Sequence, residues 1–327
     1  LITALFYFYI YRHPSSMNVL VILASYNGKK YIKEQIDSIL GQEGVHVSLN
    51  IYDDCSNDET FEFLVSEYSS KTSQIQIIKN RIPTGSAANN FLQAIKNIDS
   101  NEIEKHNFIA LADQDDIWLP NKLFEAVQKL RTENSNLYFS NLNLWNQELK
   151  TKSLIKKSYP QKKYDYLFEG GSAGCTYVVT KKLIYLVKEY INKVDYLNWK
   201  YFSHDWFVYF IARTNNLKVF IDNRAFILYR IHDSNVHGQL NTLSFYAIKQ
   251  RLKLIINGWY YIQSKGFLNL LPHQSIEAKI YKLYTKNYFT RIYIIWRYNF
   301  SLIRSNKKAI QFFILSALPL KIYKKNV

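Results

Sequence analysis

The chain has 327 residues, enough for one large domain or two, and it contains 27 Tyr, 20 Phe and 6 Trp. Its net charge of +16 is concentrated in residues 241–327, which hold 15 Lys and Arg against one acidic residue, Glu277. No internal repeat, low-complexity tract or metal-ligand cysteine spacing is present, which argues against solenoid and disulfide-rich classes. Cys55 and Cys175 are typical of ordinary reduced thiols and favour a cytoplasmic chain.

Residues 1–16 differ from the rest of the chain. They begin with an apolar and aromatic stretch that is far shorter than the ~20 residues needed to span a bilayer. Met17 is the only methionine and directly precedes the first clear strand. We therefore expect Met17 to be the true start and residues 1–16 to be an upstream read-through or a disordered segment. A signal-like segment is the alternative, although no A-x-A-like cleavage site follows it.

Strands and helices are predicted to alternate four times in the first part of the chain. Continuous apolar runs predict buried strands at residues 18–24, 47–52, 75–78 and 108–112. Apolar residues at helical spacing predict a helix after each strand, in stripes that include Ile36, Leu64, Ile95 and Leu123. This alternation indicates an α/β fold with a mostly parallel central sheet covered by helices.

Polar residues follow three of these strands, and such sheets bind ligands beyond the carboxyl ends of their strands. Tyr26 lies in an Asn-Gly turn after the first strand, and Asp53 directly follows the second. The fourth strand leads into three carboxylates within four residues, at positions 113, 115 and 116. Carboxylates so close together repel one another unless a cation or hydrogen-bond donors compensate, and Mg²⁺ and Mn²⁺ prefer such oxygen ligands. An acidic surface turn before the helix near Pro120 is the alternative.

The pattern is less regular after residue 135. We expect strands within 137–145, a glycine-rich loop at 170–174 and a β-rich segment at 175–180. A helix is expected to begin at 203–206, and two strands are expected around Val219 and Ile227. The glycines permit close approach of backbone to a ligand, although a plain tight turn fits them equally well. Neither a GxGxxG motif nor a Walker loop is present, which argues against a dinucleotide dehydrogenase and a P-loop NTPase.

The order of these motifs resembles that of the family 2 glycosyltransferases, most closely the bacterial rhamnosyltransferase-like branch whose central motif reads DQDDIW. Six motifs carry the resemblance: ASYNG at 24–28, DDCSND at 53–58, DQDDIW at 113–118, GGSAG at 170–174, HDW at 204–206 and YRIHDSNV at 229–236. The resemblance implies a GT-A nucleotide-sugar-binding domain over residues 17–240, followed by a basic, largely helical C-terminal region over 241–327. The chain departs from the pattern at Cys55, where Gly is common, and at His204, where many relatives have an acidic residue.

The resemblance also implies roles for individual residues. Ala24 and Tyr26 would contact the nucleotide base, and Asp53 would hydrogen-bond it. Asp113 would face the ribose, and Arg230 would meet the diphosphate. Asp115 and His232 would bind the metal, and Asp205 would be the catalytic base. Three of these have simpler explanations: Asp205 could only cap its helix, His232 could be a surface histidine, and Arg230 could be a solvated charge.

The expected activity is an inverting, Mg²⁺- or Mn²⁺-dependent sugar transfer. The resemblance favours dTDP-L-rhamnose as donor, with UDP-sugars next, and a hydroxyl of a cell-surface polysaccharide or lipid-linked glycan as acceptor. A nucleotidyltransferase on a similar sheet is one alternative, because Lys29 and Lys30 follow the first strand, but no glycine-rich triphosphate loop accompanies them. A non-enzymatic basic protein that binds nucleic acid or membrane is another, but it leaves the acidic motifs unexplained.

The basic C-terminal region interleaves Lys and Arg with Tyr and Trp. Interfacial helices have this composition, and we therefore expect the enzyme to lie on the inner face of the cytoplasmic membrane. We do not expect a nucleic-acid partner. The most apolar piece, 311–320, is too short to span a bilayer and contains Pro319. A helical cap on the catalytic domain or an oligomer contact is the alternative.

Overall fold

A computed structural model describes residues 17–69, 73–231 and 245–320. It divides these residues into two compact units. The first unit contains the described residues up to 158, together with 172–192 and 211–230. The second unit contains 159–171, 193–210 and the described residues from 231 onward. The domain boundaries predicted at residues 16 and 240 fall at or inside undescribed stretches, and they stay predictions.

The first half of the first unit has the predicted alternation of strands and helices. Its strands are β1 (Asn18–Ser25), β2 (His46–Asp53), β3 (Ile75–Lys79) and β4 (Phe108–Ala112). Its helices are α1 (Ile32–Leu40), α2 (Thr60–Tyr68), α3 (Ala87–Asn97), the short α4 (Ser100–Glu104) and α5 (Lys122–Thr132). β1 lies between β2 and β4 and is parallel to both, and β3 is parallel to β2. The predicted fold class is therefore confirmed.

The remaining strands extend the same sheet to nine strands. They are β5 (Ile117–Trp118), β6 (Leu137–Asn146), β7 (Thr151–Ile155), β8 (Val178–Thr180) and β9 (Val219–Arg230), with helix α6 (Lys181–Ile191) after β8. The strand order is β3-β2-β1-β4-β8-β6-β9-β5, and β7 pairs with β6. The sheet is mixed in this half, because β8 is antiparallel to both β4 and β6, and β6 and β7 form a hairpin. Only four residues join β6 to β7, and so short a connection reverses the chain.

Two predicted strand assignments in this half are wrong in detail. The two strands expected around Val219 and Ile227 are one strand, β9, which contacts β6 with shifts of register near Asn141. The β-rich segment expected at 175–180 begins with a 3₁₀ turn at Gly174–Thr176, and only Val178–Thr180 is a strand. The Thr176 hydroxyl donates to the Ala173 carbonyl at 2.8 Å, and such local bonds compete with strand pairing.

The core of the first unit is built around β1. Its residues from Val19 to Leu23 are buried on both faces of the sheet, as expected for an interior parallel strand. Helix α1 packs Ile32, Ile36 and Ile39 into the same cluster. Burial of this kind contributes about 1.5–3 kcal/mol for each large aliphatic side chain. This core fixes the strand ends from which the polar motifs emerge.

The second unit is mostly helical. It holds the start of α7 (His204–Thr214) and five further helices: α8 (Phe245–Ile256), α9 (Trp259–Leu268), α10 (Ile276–Lys286), α11 (Tyr288–Leu302) and α12 (Asn306–Ser316). Side-chain caps begin three of them, at Ser275, Asn287 and Ser305, and the Asn287 cap is a full capping box. The helical character predicted for the C-terminal region is therefore confirmed. Within the described residues, no helix combines the length and apolarity that a bilayer crossing requires.

Segment 159–171 packs against the C-terminal helices within this unit. The Phe168 ring contacts four aromatic rings at centroid distances of 4.8–6.2 Å: Tyr260, Tyr281, Tyr284 and Phe312. The Tyr281 hydroxyl donates to the Leu167 carbonyl at 2.6 Å. The C-terminal helices thus have an inner face that holds the glycine-rich stretch at 170 and 171 in place.

Candidate active site

Three predicted motifs meet at one edge of the sheet in the first unit. Ser25 at the end of β1 is paired with Asp53 at the end of β2, and Leu23 is paired with Ala112 at the end of β4. Because these strands are parallel neighbours, the residues that follow them emerge side by side. The structure thus brings the turn at 24–28, the acidic turn at 53–58 and the DQDD loop together.

Gln114 holds the first turn against the DQDD loop. Its side-chain oxygen accepts from the Tyr26 N–H at 2.8 Å, and its side-chain NH₂ donates to the Tyr26 carbonyl at 2.9 Å. Gly28 makes room for this pairing, because a Cβ there would lie 2.2 Å from the Gln114 Oε1 atom. Tyr26 itself remains exposed, whereas Ala24 is buried in β1. Gln114 was not among the predicted site residues, although its place between two aspartates predicted to contact the ligand was a usable signal.

The first turn is also bonded to the acidic turn. Asn27 N–H donates to the Ser56 hydroxyl and Gly28 N–H donates to the Thr60 hydroxyl, both at 2.9 Å. The Asn57 N–H returns a bond to the Asn27 side-chain oxygen at 2.9 Å. These reciprocal bonds fix the backbone on which Tyr26 is displayed.

Asp53 is fully buried and is the centre of the acidic turn. Its carboxylate accepts from the Ser25 hydroxyl at 3.0 Å, from the Ser56 N–H at 2.9 Å and from the Ser56 hydroxyl. The neighbouring Asp54 is bonded to Asn80 and Thr84 in the same way. These acids therefore shape the turn, and base recognition by Asp53 stays a prediction.

Cys55 is in a strained conformation between these bonded residues. Its φ of 61° lies in the left-handed region that costs a residue with a Cβ about 1–2 kcal/mol. The Cys55 thiol contacts the Asn80 carbonyl at 3.2 Å. The departure noted in the sequence, Cys where Gly is common, thus coincides with a backbone geometry that favours glycine.

The three carboxylates of the DQDD loop differ in how far they are buried. Asp113 and Asp115 are half-buried, and Asp116 is buried. Burial raises the pKa of Asp116 well above its usual range, and repulsion from Asp115 and Asp113 adds to the effect. Within the described residues, neither buried oxygen of Asp116 has a hydrogen-bond partner of normal geometry. A cluster of carboxylate oxygens of this kind fits a divalent cation such as Mg²⁺ or Mn²⁺.

Two further buried groups lie behind this loop. Ligand atoms of Asp113, Asp116 and Cys175 come within 4.8 Å of one another, and burial raises the pKa of the Cys175 thiol well above its usual range. A neutral thiol is a soft group and a poor ligand for Mg²⁺. The Lys122 ammonium stands 3.3 Å from the centre of the Trp118 ring, and burial lowers its pKa to about 7. No sequence pattern predicted that Lys122 would lie beside the motif.

Arg230 is buried and anchors the DQDD loop. Its Nε donates to the Asp115 backbone carbonyl at 3.0 Å, and its Nη2 pairs with the Glu34 carboxylate at 2.7 Å. The guanidinium lies over the rings of Tyr31 and Trp145, 4.6 and 4.8 Å from their centres. The structure thus gives Arg230 a positioning contact with Asp115, and its contact with a diphosphate stays a prediction. His232, the other predicted metal ligand, lies outside the described residues.

Asp205 belongs to the second unit, in the first turn of α7. Its Oδ1 accepts from the Trp206 N–H at 2.7 Å and from the Ser203 hydroxyl. Its Oδ2 has no hydrogen-bond partner in the part of the chain that the structure describes. Asp205 is half-buried, and both the capping role and the role of catalytic base stay predictions.

The helix start that carries Asp205 is firmly packed. Trp206 is buried, its indole N–H donates to the Tyr166 carbonyl at 2.7 Å, and its ring contacts Trp259. Gly170 lies so close that a Cβ there would be 3.3 Å from the Trp206 Cα. Arg304 donates to the carbonyls of Gly170 and Gly171, which holds this glycine pair against the helix.

Known proteins are similar to this chain in sequence and in fold. The model of the family described as "Glycosyl transferase family 2" matches residues 20–210. A Shigella flexneri protein named dTDP-rhamnosyl transferase RfbG is 34% identical over 92% of this chain and 100% of its own length. An Escherichia coli protein named UDP-Glc:alpha-D-GlcNAc-diphosphoundecaprenol beta-1,3-glucosyltransferase WfgD is 31% identical over 55% of this chain and 68% of its own. The crystal structure of S. aureus TarS 1-349 with UDP-GlcNAc has a similar fold, with a TM-score of 0.53 at 12% identity over 95% of this chain and 92% of its own.

We expect the pairing of Gln114 with Tyr26 to make substitutions at 28 and 114 non-additive. Gln114→Ala removes two hydrogen bonds and should lower the free energy of unfolding by about 1–2 kcal/mol. Gly28→Ala should cost a similar amount, because its Cβ displaces the Gln114 side chain. The double variant should cost little more than either single variant, as measured by urea denaturation. Additive losses would show that the two residues act independently.

Relief of strain at residue 55 should stabilise the first unit. Cys55→Gly removes the cost of a left-handed Cβ but adds freedom to the unfolded chain, so the net gain should be at most about 1 kcal/mol. Cys55→Ala is the matched control, because it loses the same thiol contact and keeps the strain. Thermal denaturation should rank glycine above both alanine and the native cysteine. An equal rise for alanine would place the effect in the thiol.

Proposed function

The chain belongs to glycosyl transferase family 2, and we propose that it transfers L-rhamnose from dTDP-L-rhamnose to a glycan hydroxyl. The similarity to the S. flexneri dTDP-rhamnosyl transferase extends over the whole of that protein and carries this choice of donor. UDP-sugars are the next candidates, because the E. coli relative is named for UDP-Glc. Family membership removes the nucleotidyltransferase and non-enzymatic alternatives.

Mg²⁺ or Mn²⁺ would be held by Asp115, with His232 as the second proposed ligand. Asp113 would face the ribose. When bound there, the cation offsets the negative charge that develops on the leaving diphosphate. Arg230 fixes the backbone of Asp115 through its bond to the carbonyl, so the loop keeps its carboxylates clustered before a ligand arrives. Such preorganisation reduces the cost of ordering the loop on binding.

The donor base would lie against the first turn. Ala24 and the exposed Tyr26 ring would contact it, and Asp53 would accept its hydrogen bond. The Gln114 side chain would hold Tyr26 in place through the N–H and the carbonyl of the Tyr26 backbone. Arg230 already donates three hydrogen bonds, to Asp115, Glu34 and Gln147. A guanidinium has five N–H groups, and its remaining donors would contact the diphosphate.

Asp205 would act as the base that takes the proton from the acceptor hydroxyl. Its Oδ1 is held by the helix backbone while Oδ2 remains able to accept a proton. Attack from the face opposite the diphosphate would form the new glycosidic bond as the old bond breaks. The product would therefore have the inverted anomeric configuration.

The acceptor would be a cell-surface polysaccharide or a lipid-linked glycan. The E. coli relative is named for a diphosphoundecaprenol acceptor, which supports the lipid-linked form. Such an acceptor is presented at a membrane, and the charge of +14 over residues 241–327 suits an anionic lipid surface. The enzyme would accordingly be peripheral on the inner face of the cytoplasmic membrane.

Donor use tests this function directly. With Mn²⁺ and a panel of nucleotide-sugars, the purified chain should release nucleoside diphosphate fastest from dTDP-L-rhamnose. Asp115→Asn should abolish that release and weaken Mn²⁺-dependent nucleotide binding, because it removes the main proposed ligand charge. Asp37→Asn, which breaks only a surface pair with Lys33, should leave turnover intact. Full turnover by Asp115→Asn would disprove the metal assignment, and preference for another nucleotide would disprove the donor.

The base is tested by Asp205→Asn. Transfer should fall ~10²-fold or more, while donor affinity changes little, because general-base catalysis supplies that factor and the donor is held elsewhere. The exposed Asp195→Asn in the same unit is the control and should behave as the native enzyme. NMR of the product should show inversion. Retention, or lost donor binding with unaltered transfer at saturation, would contradict the assignment.

A further inference from the structure

Helix α11 has an exposed row of aromatic side chains, which we call the aromatic stripe. Its members recur at intervals of four, three and four residues, which places them on one face of the helix. They are Phe289, Tyr293, Trp296 and Phe300, whose side chains are 82%, 52%, 69% and 56% exposed. The opposite face is buried and includes Ile294, Ile295 and Leu302. The exposed face is therefore a second apolar surface that the packing of the unit leaves open.

The stripe is a continuous feature of useful size. From Phe289 to Phe300 it extends about 17 Å along the helix. On the next helix, α12, Ile310 and Ile314 are also more than half exposed and one turn apart. Large apolar groups clustered in this way mark interaction surfaces, whereas singly scattered ones need no explanation.

The charge around the stripe is positive. Arg297 is exposed and lies one turn from both Tyr293 and Phe300. The helices that pack against α11 carry further exposed cations, at Lys279, Lys282 and Lys286 on α10 and at Lys307 and Lys308 on α12. The only acidic residue of 241–327 is Glu277, which accepts a hydrogen bond from the Tyr166 hydroxyl at 2.9 Å. An occupant of this surface must therefore accept apolar rings and carry negative charge beside them.

We propose that the aromatic stripe seats the enzyme in the interface of an anionic phospholipid bilayer. Trp and Tyr favour this depth, since their rings lie among the acyl chains while their polar atoms reach the headgroups. Cations beside them pair with lipid phosphates. α11 has 15 residues, about 22 Å, so it would lie in the plane of the interface. The proposal deepens the proposed function, because it names the surface that would reach a lipid-linked acceptor.

Other occupants fit the surface less well. Contact between two copies of the stripe would bring Arg297 and the surrounding lysines together, and like charges oppose such a contact. A glycan would stack on aromatic rings but would also need polar acceptors for its hydroxyl protons, and the surrounding charged groups are donors only. A nucleic acid would accept the cations but would leave Ile310 and Ile314 in water.

Vesicle binding by the full chain tests the proposal. The native chain should sediment with vesicles of equal phosphatidylglycerol and phosphatidylcholine, and should be released as salt screens the attraction. The Trp296→Ser/Phe300→Ser double variant should partition at least about tenfold more weakly, because two exposed rings no longer enter the lipid. The Ile82→Ser/Leu149→Ser variant removes two similarly exposed apolar side chains from the first unit and should bind as the native chain does.

A second measurement locates the contact. Brominated phosphatidylcholine in the vesicles should quench part of the native tryptophan fluorescence. Trp296→Phe should lose that quenching while it still binds, because phenylalanine retains the apolar contact. Equal vesicle binding by the double variant and the native chain would overturn the proposal. So would quenching that persists in Trp296→Phe, or a double variant that loses self-association, glycan or RNA binding instead.

Donor turnover on the same preparations separates this proposal from the proposed function. A double variant that still releases nucleoside diphosphate but leaves the vesicles supports both. A native chain that binds vesicles through the stripe but uses no nucleotide-sugar supports the surface and refutes the donor assignment. A native chain with normal turnover and no affinity for anionic vesicles refutes the surface and the peripheral location, and it leaves the donor assignment intact.

Discussion

The electrostatic cost of three carboxylates at the end of β4 is the constraint on which the active-site architecture depends. Asp113, Asp115 and Asp116 follow a fully buried strand, so each loses hydration and each repels the others. Burial raises the pKa of Asp116 well above its usual range, and the loop is positioned through bonds to backbone groups of Tyr26 and Asp115. A divalent cation bound at Asp115, as proposed above, would offset part of this repulsion.

Two residues position the loop through backbone groups. Gln114 bonds the backbone of Tyr26, and Arg230 bonds the backbone carbonyl of Asp115 while its charge is matched by Glu34. Lys122 is a buried amine behind the loop, and its pKa of about 7 makes it a weak source of charge at neutral pH. Arg230 donates to the backbone carbonyl of Asp115, so this bond does not occupy the Asp115 carboxylate.

The sequence predicted the first half of the sheet well, because strand and helix signals there are strong and local. β1, β2, β3 and β4 are continuous apolar runs separated by amphipathic helices, and right-handed parallel connections then leave few topologies. The second half depends on pairings that local patterns do not encode. The 3₁₀ turn at Gly174–Thr176 leaves only three residues for β8. β9 remains one strand through its polar middle, because its pairing with β6 continues there with shifts of register.

The site was predictable to the level of motifs and not of contacts. Spacing after the strand ends located Tyr26, Asp53 and Asp115, but side-chain direction comes from tertiary packing. For Arg230 the sequence predicted contact with a diphosphate, which stays a prediction, but not its bond to the Asp115 carbonyl or its position over the rings of Tyr31 and Trp145. Cys175 and Lys122 approach the loop from distant positions in sequence, so no local pattern could have placed them there.

In the basic C-terminal region, too, the sequence pattern predicts helices but not the contacts of individual side chains. Its composition shows apolar and basic residues interleaved, which predicts amphipathic helices but does not say which aromatic residues lie inside. The structure assigns Tyr281 and Tyr284 to the packing around Phe168, whereas Tyr293 and Trp296 remain outside. A helix that only capped the unit would need one apolar face, and α11 has two. The inner face accounts for its folding, and the outer face is the surface for which we propose a lipid bilayer as the occupant.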